Sequence, residues 1–267
     1  MIVDGKEIAE RVYKRTYEAI QKLGRAPVLT IITCAPNFET QKYLALKEKR
    51  AATIGIVTHV IELSVTSTTE QFCEAIEKSV VDSDGIIVQL PLPQHVDIQT
   101  VFSHIPVTHD VDALNQENHS TLSPVVGAFF EIISLYNFVI EGKLVTVIGN
   151  GRLVGLPASA WFQSAGAHVS VVTKDTGDIS SYTKTADIIV CGAGVPGLLT
   201  PDMVKDEVII LDAGTSEEGG ELRGDAEPLC AEKASLFTPV PGGVGPITIA
   251  ILLANVVQCA VRKQHLE

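Results

Sequence analysis

The sequence predicts an α/β protein of two lobes. An N-terminal parallel α/β lobe precedes a Rossmann-type dinucleotide-binding lobe, and the C-terminal helix returns to the first lobe. Three observations predict this. Short β-branched runs alternate with stretches of helical composition along most of the chain. One run, Leu144–Ile148, passes into a glycine turn, Gly149-Asn-Gly-Arg-Leu-Val-Gly155, and then into the helical stretch Leu156–Gln163. Hydrophobic residues make up 46% of the chain but aromatics only 5%, a mix of small apolar side chains that suits helices packed on sheets.

Taken in order, Lys6–Leu23 reads as an amphipathic helix with Ile8, Val12, Tyr17 and Ile20 on one face. Pro27–Thr33 is a strand, Glu39–Ala52 a helix ending near Gly55, and Val57–Leu63 a second strand. Thr68-Thr-Glu-Gln71 forms a capping box that opens a helix to about Val81. Gly85–Leu90 is a third strand, closed by Pro91-Leu-Pro93, and this alternation implies parallel units joined by right-handed crossovers. Asp110–Gly127 reads as irregular and Phe129–Tyr136 as helical. His168–Thr173, Asp187–Cys191 and Val208–Asp212 supply the later strands, and Thr238–Thr248 feeds a last helix over Ile247–Val261. The expected lobes are residues 1–120 with helix 247–267, and residues 121–246.

Composition narrows the partners. Twenty Lys and Arg against 32 Asp and Glu give a net charge of −12, which argues against nucleic-acid or anionic-membrane surfaces. Five cysteines without C-x-x-C spacing read as buried thiols of a reducing compartment, not as a disulfide frame or a metal site. Met1–Lys6 carries charge at once and lacks a signal-peptide core. Ile247–Val261 is short for a bilayer, and Thr248, Asn255 and Gln258 give it a polar stripe. The expectation is a soluble cytoplasmic protein.

Four places carry candidate chemistry. The G-x-G-x-x-x-G run lets the backbone turn tightly and a pyrophosphate approach the free N–H groups of a helix start. It nominates Gly149, Asn150, Gly151, Arg152, Val154 and Gly155 for a dinucleotide, with Gly194 and Thr215 after later strands. Gln89 ends a strand, where ligands of open α/β sheets bind, although a polar residue also simply finishes strands. Tyr43 and Lys47, four apart on a helix, share one face. Tyr43 suits stacking on a flat ring, and a desolvated Lys47 suits proton transfer; with Lys42, Lys49 and Arg50 beside it, plain solvation is the rival reading. Asp110-Val-Asp112 offers two loop carboxylates, which equally cap turns.

Together and in this order these motifs resemble one family, the bifunctional methylenetetrahydrofolate dehydrogenase/methenyltetrahydrofolate cyclohydrolases. The resemblance runs from Val3-Asp-Gly-Lys6 to the last helix. Its most specific pieces are Val88-Gln-Leu-Pro-Leu-Pro93 and Pro239-Val-Pro-Gly-Gly-Val-Gly-Pro-Ile-Thr248. Tyr43-x-x-x-Lys47-x-Lys49 before Ile54-Gly-Ile56, the Asp110–Asp112 loop, and Val147-Ile-Gly149 leading into Leu153–Pro157 add to them. The resemblance implies Lys47 as the catalytic lysine, Gln89 as its hydrogen-bonding companion and Asp112 as the carboxylate on the pterin's amide-like edge. It implies a folate site with Tyr43 stacked over the ring and Val88, Leu90, Pro241 and Gly242 lining it. A nicotinamide dinucleotide, by family preference NADP, would face the folate from the second lobe, and members often pair as homodimers through that lobe. The implied place in metabolism is one-carbon supply, including purine biosynthesis.

The chain departs from the family in four places. Ser123-Pro-Val-Val-Gly127 replaces P-C-T-P-x-G, His109 replaces the lysine before D-V-D with Ala113 after it, and Gly149-Asn-Gly151 replaces G-R-S. Thr173-Lys-Asp-Thr176 replaces H-S-R-T: Lys174 suits a 2′-phosphate, whereas Asp175 repels one and suits a ribose hydroxyl, so NAD stays open. Also open are a dehydrogenase without effective cyclohydrolase activity, a non-catalytic folate- or nucleotide-binding protein, and a dehydrogenase for another small substrate. The last leaves Tyr43, Lys47 and Val88–Pro93 unexplained.

Overall fold

The computed structural model describes residues 1–36, 38–115, 117, 121–218 and 221–266. The chain folds into two compact units: Met1–Glu10 with Pro124–Thr248, and Arg11–Ser123 with Ile249–Glu267. Both are α/β with parallel main sheets.

The unit that holds Arg11–Ser123 follows α1 (Gly5–Leu23) with β1 (Val28–Cys34), α2 (Phe38–Ile54), β2 (Val57–Leu63), α3 (Thr69–Val80), β3 (Gly85–Val88) and α4 (Ile98–Ser103). Its sheet order is β2-β1-β3. Ile32, Phe72, Ile76, Ile86, Val88 and Phe102 form a buried cluster under α3 and α4. The expected capping box holds, with Thr68 and Gln71 exchanging side-chain and backbone bonds at the start of α3. α4 has no counterpart among the expected elements; Asp97 caps it by accepting Gln99 N–H at 3.0 Å.

The inward face of α1 differs from expectation. Ile8, Val12 and Ile20 are buried, but Tyr17 is 47% exposed while Tyr13 and Thr16 lie inside. At about 100° per residue, Ile8, Val12, Tyr13, Thr16 and Ile20 fall within one arc of the helix, and Tyr17 falls beyond its edge. Tyr13 then serves a polar partner too, with Arg50 stacked over its ring at 5.2 Å.

The unit that holds Pro124–Thr248 contains α5 (Pro124–Leu135), β4 (Leu144–Ile148), α6 (Gly155–Ser164), β5 (His168–Val172), α7 (Ser180–Thr183), β6 (Ile188–Cys191) and β7 (Ile209–Asp212). A small antiparallel hairpin, β8 (Ser216–Glu218) and β9 (Glu221–Arg223), precedes β10 (Leu236–Phe237), and α8 (Val244–Leu266) ends the chain. The sheet order β10-β7-β6-β4-β5 reverses beside β4, the switch point of a doubly wound sheet. The N-terminus joins this sheet: Val3 N–H donates to Phe237 O at 2.9 Å and Phe237 N–H to Met1 O at 2.8 Å. That pairing groups Met1–Glu10 with the later residues.

Four further expectations are corrected. Pro124–Gly127 is not irregular, because α5 begins at Pro124, and proline suits a first helical position where no N–H is needed. β3 stops at Val88, although Gln89 N–H still reaches Ile32 O at 2.8 Å. The last helix is longer than Ile247–Val261, so its length is no argument against a bilayer: the window Val244–His265 has a mean hydropathy of 2.0, and 67% of it is buried inside the protein. Asn255 is not part of an exposed stripe but 6% exposed. Its amide donates to Val111 O at 2.8 Å and Leu122 O at 3.0 Å, tying both ends of the loop that follows Asp110 to α8.

Asn255→Ala removes both bonds and strands the buried Val111 carbonyl, a cost of about 1–3 kcal/mol. Thermal unfolding followed by circular dichroism should show a lowered Tm; an unchanged Tm would contradict this role for the amide.

Candidate active site

In the unit built on β1, β2 and β3, two elements bring a lysine and an amide together. Lys47 lies in the middle of α2, and Gln89 sits one residue past the end of β3. Lys47 Nζ donates to Gln89 Oε1 at 2.8 Å, and Gln89 Nε2 donates to Leu90 O at 3.0 Å. The second bond fixes which way the amide faces, so its oxygen is committed to the lysine. The solvated-surface reading of Lys47 therefore fails. Burial draws its pKa below the ordinary lysine value, and the charge of Asp112 pulls it partly back.

The two carboxylates of Asp110-Val-Asp112 have separate tasks. Asp110 is fully buried and accepts the N–H groups of Leu114 at 3.1 Å and Asn115 at 2.9 Å. It shapes the loop, and an isolated bridge sets it beside Ile86 of β3. Asp112 faces Lys47 electrostatically. Burial pushes its carboxyl above the usual range, Lys47 pulls it down, and Asp110 pushes it further up. Burial thus favours the neutral form of the amine and the protonated form of the carboxyl, which shifts both groups toward the proton-transfer range. Tyr43, one turn before Lys47, is 38% exposed. Leu90 is half-buried, but Val88 packs its side chain into the core at 1% exposure and has none left for a ligand. Pro241 and Gly242 belong to the other unit, in the turn before α8; Gly242 has φ +107° and accepts Gly5 N–H at 2.9 Å.

In that other unit the glycine turn is a tight backbone crossing. A Cβ on Gly149 (φ +98°) would stand 2.6 Å from Gly192 O, and one on Gly155 would overlap Gly149 O. Gly151 has open space, with its nearest such neighbour at 4.0 Å. Asn150 is exposed, Arg152 and Val154 are half-buried, and Val154 gives α6 no side-chain cap. A close-approach cradle at an uncapped helix start fits a dinucleotide's pyrophosphate. Lys174 and Asp175 are both exposed just beyond β5, Asp175 twenty residues after Gly155, where such folds read the adenosine ribose. Gly194 (φ +69°) lies in the loop after β6, and Thr215 is exposed before β8.

Two aspartates of this unit escaped the sequence reading. Asp225 takes the N–H groups of Ala193, Gly194 and Val195 at 2.7, 3.1 and 2.8 Å. Asp212 takes those of Gly214 at 2.9 Å and Ala226 at 2.8 Å. Burial first, then the Asp225 charge, lift the Asp212 carboxyl to about 6 against the pull of those N–H bonds. Glycines adjoin or neighbour both aspartates (Gly214, Gly224), and that was the available signal: a Cβ at either would overlap the facing carboxylate. Among the described residues, no group of three or more His, Cys, Asp or Glu is placed to hold a metal ion.

Comparison with known proteins agrees over the whole chain. Residues 3–112 match the catalytic-domain model of the tetrahydrofolate dehydrogenase/cyclohydrolase family, and residues 123–264 match its NAD(P)-binding domain. The bifunctional protein FolD of Halothermothrix orenii is 37% identical over 280 residues, spanning 99% of this chain and 98% of that one. The crystal structure of bifunctional FolD, a methylenetetrahydrofolate dehydrogenase/cyclohydrolase, from Campylobacter jejuni superposes with a TM-score of 0.95 at 34% identity, over 98% of this chain and 99% of that one. The FolD of Trypanosoma brucei, solved with NADP and an inhibitor, gives 0.92 at 31% identity, over 99% and 98%. Two family models that between them span nearly every residue, and relatives matched end to end, leave one conclusion: this chain belongs to the tetrahydrofolate dehydrogenase/cyclohydrolase family.

Proposed function

We propose that this protein oxidises methylenetetrahydrofolate to the methenyl compound with a nicotinamide dinucleotide and then hydrolyses it to formyltetrahydrofolate. The carrying observation is the 2.8 Å bond from Lys47 to Gln89 with the charge of Asp112 acting on the same lysine.

The bound dinucleotide accepts a hydride from the bridging carbon. The lone pairs of the two flanking nitrogens stabilise the cation left behind, so the protein's part in oxidation is orientation. Tyr43 supplies a face for the pterin and Asp112 a carboxyl for its amide-like edge, while Gly149–Gly155 cradle the pyrophosphate. Hydrolysis adds water to the methenyl carbon of the cation and breaks that carbon's bond to one ring nitrogen; one water proton ends on that nitrogen and the other is released to solvent. Lys47, whose pKa burial draws down, accepts and returns the proton bound for the nitrogen, and Gln89 holds its Nζ in place.

NADP is the proposed dinucleotide, with Lys174 on its 2′-phosphate and Asp175 weakening the preference. A cytoplasmic setting is supported by five buried, unbridged cysteines, and formyl supply to purine biosynthesis is the proposed use. Homodimer formation is supported by β5, an edge strand with Val171 39% exposed, whose free backbone groups suit a second copy.

The first test supplies methylenetetrahydrofolate with NADP or NAD and measures reduced nucleotide, then methenyl compound before and after acid. Reduced nucleotide with methenyl recovered only after acid shows both activities; no reduced nucleotide refutes the reading. Lys47→Ala should cut hydrolysis by about 100-fold or more while some oxidation survives, and retained hydrolysis would remove Lys47 from the mechanism. Asp112→Asn deletes the negative charge that raises the Lys47 pKa, so the pKa read from the pH profile of hydrolysis should move down. An upward move would contradict the pairing. Lys174→Ala should reduce kcat/KM for NADP by about tenfold or more with little change for NAD; an equal loss for both nucleotides would clear Lys174 of phosphate reading.

A further inference from the structure

We propose that Asp225 is a positioning residue of the dinucleotide site, acting through the loop that follows β6. The proposal rests on the dehydrogenase reading above and goes beyond it, because Asp225 lies outside every motif that suggested that reading.

Asp225 is fully buried, and its carboxylate collects three successive N–H groups of one loop, those of Ala193, Gly194 and Val195. Successive donors aimed at one anion fix the backbone that carries them, here including the left-handed Gly194. Ser216 Oγ donates to Gly194 O at 2.9 Å and ties the loop from its other side. The carboxylate itself has no freedom. Any side chain at Gly214 would overlap it, and the next residue, Ala226, is held through its N–H by Asp212. Asp212 is anchored in turn, its own N–H donating to Thr238 Oγ1 at 2.6 Å.

The loop so fixed stands against the glycine turn. A Cβ on Gly149 would approach Gly192 O at 2.6 Å and Ala193 N at 3.0 Å, so the two backbones set each other's position. β6 lies on the opposite side of β4 from β5. The loop after β6 therefore borders the end of the site away from Lys174 and Asp175, where a dinucleotide in such a sheet lays its nicotinamide half. The three N–H groups already face an internal anion and are not donors for a phosphate, which leaves that charge to the start of α6. Asp225 thus shapes the wall met by the reactive half without touching it.

The experiment measures dinucleotide Kd by calorimetry, hydrolysis of the methenyl substrate, and Tm, for the wild type and Asp225→Asn. Hydrolysis needs no dinucleotide and its proposed catalytic groups Lys47, Gln89 and Asp112 lie in the other unit, so it reports the integrity of that unit while Tm reports the fold of the variant. Losing charge-assisted bonds to the loop should weaken NADP and NAD binding by about tenfold or more, with hydrolysis changed by less than about twofold. An unchanged Kd overturns the proposal, whatever happens to Tm. Should Asp225→Asn fail to fold, Ser216→Ala decides through the loop's other tie: a Kd raised about threefold supports the proposal and an unchanged one overturns it. A wild type that binds dinucleotide but reduces none refutes the dehydrogenase reading while the Kd comparison still judges Asp225. A wild type that binds neither nucleotide overturns both.

Discussion

A carboxylate taken out of water must be met by fixed donors, and this chain builds its loops around that requirement. Asp84, Asp110, Asp212 and Asp225 are each at most 3% exposed, and each accepts backbone N–H groups. Asp84 adds a bidentate Arg25, both contacts at 2.7 Å. Burial alone would raise its pKa, but the Arg25 bonds and charge, with the Val28 N–H, carry it below the ordinary value. Its contribution to stability is therefore complete above the unfolded carboxylate pKa and is lost as pH falls through the lower folded one. At Asp110, Asp212 and Asp225 an acidic side chain decides where irregular backbone goes, whereas Asp84 pins the start of β1.

Asp112 is the exception that gives the rule its use. Among the described residues it has no backbone donor, and the positive charge acting on it comes from Lys47. The backbone around Asp112 is held by Asp110, through the N–H groups of Leu114 and Asn115, and by Asn255 at the Val111 carbonyl, which leaves the Asp112 carboxyl outside those bonds. Two residues of one type, two positions apart, thereby divide into a structural acid and a chemically available one.

Much of this was legible in the residues. Strands such as Val57–Leu63 and Leu144–Ile148 declared themselves because β-branched runs bounded by turn residues have few alternatives. Lys47 and Gln89 were nominated by helix spacing and strand position, but their bond joins residues 42 apart in sequence, and no local pattern encodes that distance. Asp225 was invisible for the same reason, since its three donors lie about thirty residues upstream. Tyr17 was misplaced because its size weighed more than its angle, while the small Thr16 faces inward and bonds Val12 O at 2.8 Å. Asn255 looked like surface because polarity usually means water; here it means two carbonyls.

Neither compact unit is a continuous piece of chain. One takes Met1–Glu10 before the 113 residues of Arg11–Ser123 intervene, and the other waits for Ile249–Glu267. On a ribosome, the edge strand β10 meets its partner residues Met1–Val3 only after more than two hundred residues have emerged. The sheet β2-β1-β3 is made early, yet Asn255 and the rest of its closing helix arrive last. Vectorial synthesis therefore leaves both cores incomplete until their late segments have emerged, and cutting the chain near its midpoint yields two fragments that each lack a part of their own interior.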